Sequence, residues 1–152
     1  MKKIKELFLK YKEIIMYLIF GVLTTVVSWG SYALFEVLLG LFISDVIVLS
    51  SVANVLSWII AVLFAFVTNK LWVFESKSWK GSVLVKELGS FVGSRLLTGV
   101  LEWFGVPLLM LIGLDQPILG IEGMLAKVLI SVIVVILNYI LSKLLVFRNK
   151  KK

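Results

Sequence analysis

Four long apolar runs separated by short polar stretches make up most of the chain, at residues 14–39, 46–68, 88–112 and 123–146. The longest is about 26 residues, or roughly 39 Å as a helix, enough to cross a hydrocarbon core of about 30 Å with tilt. Each run predicts a membrane-spanning helix. In the first, Gly21, Thr24, Thr25, Ser28 and Ser31 fall at three- and four-residue spacing. Such small-residue stripes let lipid-embedded helices approach closely. In the second, Ser51, Asn54, Ser57 and Trp58 form a polar flank, and Ala61, Ala65 and Asn69 continue a small face. Pro107 is expected to kink the third run or end its regular part. Residues 40–45 and 113–122 read as short outer turns, and 75–87 as a polar inner loop. Before the first run, Ile4, Leu7, Phe8 and Tyr11 recur at helical spacing among lysines. Residues 1–13 therefore predict an amphipathic helix on the membrane surface, a frayed basic tail being the alternative. The following apolar run is too long, and lacks the cleavage site, for a secretory signal peptide.

The pattern recurs within the chain. Residues 70–77, Lys-Leu-Trp-Val-Phe-Glu-Ser-Lys, align with residues 143–150, Lys-Leu-Leu-Val-Phe-Arg-Asn-Lys, 73 positions later. The same offset sets Ala53 against Ala126. One residue of drift pairs Lys12 with Lys86, Thr24 with Thr98 and Trp29 with Trp103. The expected fold is an all-α membrane protein: four transmembrane helices forming two tandem parallel helix-hairpin repeats, in one domain spanning 1–152.

Composition agrees with a bilayer as solvent. Hydrophobic residues make up 61% of the 152, and the mean hydropathy is +1.08. A soluble chain of this length has too little interior to hide that surface. There is no cysteine and no histidine, so disulfides, thiolate metal sites and the usual general base are excluded. Of the sixteen Lys and Arg, five lie in the N-terminal segment, four between Lys70 and Lys86, and four in the C-terminal tail. The two outer turns hold only Asp45, Asp115 and Glu122. This positive-inside bias places both termini and the middle loop in the cytoplasm. Two spans per repeat then insert both copies the same way up, related by an axis along the membrane normal. The net charge of +7 is explained by these flanks and calls for no nucleic acid.

No catalytic constellation, glycine-rich phosphate loop or metal-binding cluster is visible. The chain reads as a non-enzyme without cofactor or metal. The informative residues are polar ones placed in hydrocarbon. Arg95 falls seven residues into the third run, about 10 Å below the inner surface. Such a charge faces a partner or wet cavity, or else snorkels to headgroups. In the first case its fork suits a phosphate. Lys127, near the outer end of the fourth run, either snorkels, pairs with Glu102 or Glu122, or offers a second phosphate contact. Asn69 and Asn138 are candidates for interhelical hydrogen bonds or for substrate contact. Lys70 and Trp72 sit where interfacial anchors belong. Trp72 or Trp79 could also stack on a sugar.

The chain resembles the GtrA-like family of small four-span membrane proteins over nearly its whole length. The resemblance rests on residues 17–25 (Tyr-Leu-Ile-Phe-Gly-Val-Leu-Thr-Thr), residues 64–74 ending in Asn-Lys-Leu-Trp-Val-Phe, Phe91 with Arg95, Ala126-Lys127, Asn138 and Val146-Phe147. It implies movement of a polyprenyl-phosphate sugar, made on undecaprenyl phosphate by a partner glycosyltransferase, to the outer leaflet of the cytoplasmic membrane. There the sugar would decorate teichoic acid, O-antigen or arabinogalactan. It also points to Ala65, Asn69, Val73, Phe74, Phe91, Arg95, Lys127 and Asn138 as site positions. The second foot lacks the tryptophan of the first.

Two other functions fit the same residues. One is a non-catalytic membrane subunit that recruits or positions a glycosyltransferase. The other is a dimeric small drug exporter, which typically needs a carboxylate within the first span. Glu36 lies near that span's outer end and Glu102 in the third, which disfavours it. A four-helix bundle buries little interior, so a homo-oligomer among membrane lipids is compatible with the chain.

Overall fold

The computed structural model describes residues 2–114, 116–117 and 124–147. Asp115, Glu122 and the basic tail 148–152 lie outside the described residues. Those described are helical apart from short turns and irregular connections, with no strand. Helix α1 spans Lys2–Leu39, α2 Val46–Thr68, α3 Gly81–Leu111 and α4 Met124–Leu141. Four helical stretches are long and apolar enough to cross a membrane: Lys10–Leu39, Val46–Val73, Gly81–Leu111 and Leu125–Val146. Many large apolar side chains point outward, among them Val22, Trp29, Val37, Leu97 and Trp103. This is the inverse of a soluble surface and the expected one for lipid contact. The chain is a multi-pass membrane protein.

It divides into two compact units, Met1–Lys77 and Ser78–Lys152. In the first, α1 packs along α2; in the second, α3 packs along α4. Helix α1 runs unbroken from the charged N-terminal segment into the first span. Neither glycine nor proline occurs in residues 2–20, and the lysines, glutamates and leucines there are good helix formers. The turn between α1 and α2 depends on Gly40, where an added Cβ would lie 2.8 Å from the Glu36 carbonyl oxygen. Asp45 then caps α2, its Oδ1 accepting the Val48 N–H at 2.9 Å.

Pro107 does not end α3, which continues to Leu111. Membrane helices tolerate an internal proline because the freed backbone group can be satisfied by adjustment nearby. Helix α3 begins at Gly81, before its apolar run, so Lys86 and Glu87 lie in its second turn.

The buried registers of α2 and α4 match. Ala53, Ser57, Ala61, Ala65 and Asn69 are buried at every fourth residue. In α4 and its extension, Ala126, Ile130, Asn138 and Ser142 are buried, each 73 positions after a buried residue of the first series. Such i+4 rows are the ridges along which helices interlock.

Candidate functional site

The foot of the first unit is built where α2 changes pitch. Thr68 closes the α-helix, and Asn69–Val73 form a π-helical turn. The Phe74 N–H donates to the Asn69 carbonyl at 2.8 Å, five residues back. π-turns occur mostly as isolated bulges, frequently at functional sites. Phe74 then tucks in, its ring tilted against Tyr17 of α1 at 6.5 Å. Glu75 takes the left-handed conformation, with φ +50°, which glycine ordinarily supplies at a helix end. That reversal brings the Ser76 N–H to the Lys70 carbonyl at 2.8 Å. The Lys70 ammonium in turn donates to Ser76 Oγ at 3.0 Å. Segment 74–76 thus folds back over residues 69 and 70, and Lys12 of α1 pairs with Glu75 at 3.0 Å.

Lys70 departs from expectation. It is not an interfacial anchor but fully buried, at 0% exposure. A buried ammonium persists only where its protons find acceptors, and the folded-back serine supplies one. Trp72 is half exposed, and one of its faces is covered by Phe20 of α1, stacked at 5.5 Å. Ala65, Asn69, Val73 and Phe74 are all buried at this foot. The Ala65 carbonyl gathers hydrogen bonds from the Asn69 backbone N–H, from Asn69 Nδ2 at 2.6 Å and from Thr68 Oγ1 at 3.1 Å. Asn69 Oδ1 is buried and accepts from no group among the described residues.

The second unit has a foot of the same construction. Ser142–Val146 form a π-helical turn, and the Phe147 N–H donates to the Ser142 carbonyl at 2.9 Å. The Phe147 ring tilts against Phe91 of α3 at 6.3 Å. Its lysine differs. Lys143 is exposed and donates to the Tyr139 hydroxyl at 3.1 Å.

A polar seam rises from this foot between α3 and α4. Glu87, Phe91, Ser94, Thr98 and Gly105 are the buried residues of α3, at the three- and four-residue steps of an interhelical seam. The half-buried Arg95 guanidinium lies over the Phe91 ring, 5.0 Å from its centroid. Buried Thr98 and Asn138 meet across the helices, Oγ1 to Oδ1 at 3.0 Å. Further from the foot, the Lys127 ammonium donates to Glu102 Oε1. Close by, Gly105 allows the contact: a Cβ there would stand 2.6 Å from Ile130 Cδ1. A cleft of about 480 Å³ opens at the foot, lined by Ser82, Val83, Lys86 and Glu87 of α3 and by Leu144, Leu145 and Val146. No group of three or more Asp or Glu able to hold a metal occurs among the described residues.

The candidate residues thus fall into two sets. Ala65, Asn69, Trp72, Val73 and Phe74 converge on the first foot. Phe91 and Arg95 stack together near the second, while Asn138 and the Glu102–Lys127 pair occupy successive levels of its seam. Sequence reasoning missed Ser76, which holds Lys70, and the partnership of Thr98 with Asn138. The signal for the latter was present: Thr98 follows Phe91 by seven residues, the interval that returns to one helix face.

The fold is that of a small all-helical multi-pass membrane protein, with π-turns at its two feet and charged and amide groups inside its spans. The chain belongs to the family described as GtrA/DPMS, transmembrane domain, whose model matches residues 16–147. It is similar to an uncharacterized membrane protein, YwcD, of Bacillus subtilis, 39% identical over 90% of this chain and 98% of that protein. It is also similar to the cell wall teichoic acid glycosylation protein GtcA of Listeria innocua, 38% identical over 91% of this chain and 87% of that protein. GtcA of Listeria monocytogenes serovar 1/2a is 36% identical over the same shares. No solved structure matches the chain significantly.

Proposed function

We propose that this protein serves cell-wall polysaccharide glycosylation by carrying a polyprenyl-phosphate-linked sugar from the inner to the outer leaflet of the cytoplasmic membrane. The single observation that carries the reading is Arg95. Arg95 is half-buried within a span, and its guanidinium lies over the Phe91 ring, one turn nearer the foot. A phosphate stripped of water in hydrocarbon pays several kcal/mol per ion, which a fixed guanidinium offsets. The cleft at the second foot suits an amphiphile, since Ser82, Lys86 and Glu87 in its lining are polar and Val83, Leu144, Leu145 and Val146 apolar. The names of the Listeria relatives support the polysaccharide context.

In this reading both feet and both termini face the cytoplasm, where the basic residues gather. The paired π-turns, their rings at 6.5 and 6.3 Å, and the matched buried registers support a tandem duplication. Within the second unit Asn138 lies along the path, and Lys127 receives the phosphate at the outer side by exchanging Glu102 for it. The chain itself catalyses nothing; a partner glycosyltransferase makes and consumes the sugar lipid.

One observation favours the second reading, a subunit that positions a glycosyltransferase. Lys127 is already engaged by Glu102 and is not held open for a phosphate. Reconstitution separates the two. The protein alone in liposomes should expose a fluorescent polyprenyl-phosphate hexose to a membrane-impermeant quencher. Exposure that requires the glycosyltransferase, and fails without it, would leave only the positioning role.

A further inference from the structure

We propose that Asn69 reads the sugar of the carried lipid: its Oδ1 accepts a hydrogen bond from a headgroup hydroxyl and makes no contact with the phosphate. This deepens the transport reading and rests on it.

The argument is one of donors and acceptors. An asparagine side chain carries one acceptor oxygen and one NH₂ donor. Here Nδ2 donates to the Ala65 carbonyl at 2.6 Å. The amide cannot be turned over, because Oδ1 would then face that carbonyl, acceptor against acceptor. The remaining atom, Oδ1, is the one fully buried side-chain nitrogen or oxygen among the described residues with no hydrogen-bond partner, on a residue only 3% exposed. A buried acceptor left alone costs about 1–3 kcal/mol. A phosphodiester cannot relieve that cost, because at neutral pH it too only accepts. The group that satisfies Oδ1 must donate. The lipid proposed above brings hydroxyls on its hexose and no ammonium. A neutral hydroxyl remains.

Access fits the same geometry. Segment 74–76 closes over residues 69 and 70, and it does so through Glu75 in a conformation costly for a non-glycine residue. Its tether, the Lys12–Glu75 pair, is roughly half exposed on both side chains and therefore weak. In this proposal the headgroup reaches Oδ1 when this turn lifts. At the second foot the corresponding residue is Ser142, which carries no amide oxygen.

The test uses the full chain in phosphatidylcholine nanodiscs, with affinities for polyprenyl phosphate and for its hexose-bearing form read from tryptophan fluorescence. The wild type should bind the hexose form about tenfold more tightly, the value of one well-placed hydrogen bond. Asn69→Leu should bring that ratio to about one. If Asn69→Leu does not fold, Asn69→Ala, which also removes the acceptor and adds no volume, carries the same expectation. A ratio unchanged by either substitution overturns the assignment. Competition by phosphatidylglycerol that Asn69→Leu abolishes would make the hydroxyl that of a bulk lipid, and overturns the sugar assignment alone. A wild type that binds both forms equally does so as well. A wild type that binds neither overturns the transport reading and this one with it.

Discussion

Replacing Thr98 with valine removes one hydroxyl from the seam between α3 and α4 and changes little else in shape. The hydroxyl has one proton and three oxygens within reach: the Ser94 carbonyl at 3.0 Å, the Arg95 carbonyl at 3.2 Å and Asn138 Oδ1 at 3.0 Å. Either the proton crosses to Asn138, or it stays on the helix and the Asn138 amide, turned over, donates to Oγ1. Both arrangements give one interhelical hydrogen bond between residues that are 2% and 5% exposed. Such bonds within membranes average about 0.6 kcal/mol and reach about 1.7 kcal/mol, because the unfolded chain in lipid also finds partners. The burial here places this one in the upper half, so Thr98→Val should cost about 1 kcal/mol. The assay is reversible unfolding in mixed detergent and dodecyl sulfate, followed by tryptophan fluorescence. In a double-mutant cycle with Asn138→Leu the two costs should fail to add by about 1 kcal/mol. Additivity within about 0.3 kcal/mol would refute the bond and release Asn138 from its seam role.

Three further outcomes follow from the same geometry. At Glu75, whose φ is +50°, the helix-interior order of alanine over glycine should invert: Glu75→Gly should be about 1 kcal/mol more stable than Glu75→Ala, since both lose the Lys12 contact and only glycine escapes the left-handed penalty. Gly105→Val should cost about 1–3 kcal/mol in the same unfolding assay, because its side chain displaces Ile130, whose Cδ1 already stands 2.6 Å from where a Cβ would be. Lys127→Met should reduce membrane insertion by leaving the Glu102 carboxylate without its counter-charge, a cost of about 2–3 kcal/mol, and adding Glu102→Gln should recover most of it. If that double variant inserts fully and still transports at the wild-type rate, Lys127 is a pairing residue and not a phosphate contact.

The spans were legible because a lipid solvent writes itself into long apolar runs, and no tertiary knowledge is needed to read them. The match between residues 70–77 and 143–150 also pointed to the two places where the helices change pitch. The π-turns themselves were not legible, since a π-turn and an α-turn differ by one hydrogen-bond register and not by composition. The burial of Lys70 was missed for a related reason. A lysine beside Trp72 at a helix foot has the sequence context of an interfacial anchor, and only the chain reversal at Glu75 brings Ser76 back to receive it. Arg95 stood out as a charge in hydrocarbon, but its seat on Phe91 needed only the i−4 rule and could have been named. Lys127 offered two carboxylates as partners. The choice of Glu102 depends on how α3 and α4 align, which spacing along one helix cannot supply.

The central claim is that a guanidinium fixed inside a span carries a lipid phosphate across. The most direct measurement is the initial rate of polyprenyl-phosphate hexose exposure in proteoliposomes holding equal amounts of wild type, Arg95→Lys and Arg95→Ala. Arg95→Ala should lose at least tenfold and Arg95→Lys less, because an ammonium keeps the charge but not the paired donors. Wild-type rates from correctly inserted Arg95→Ala would contradict the account.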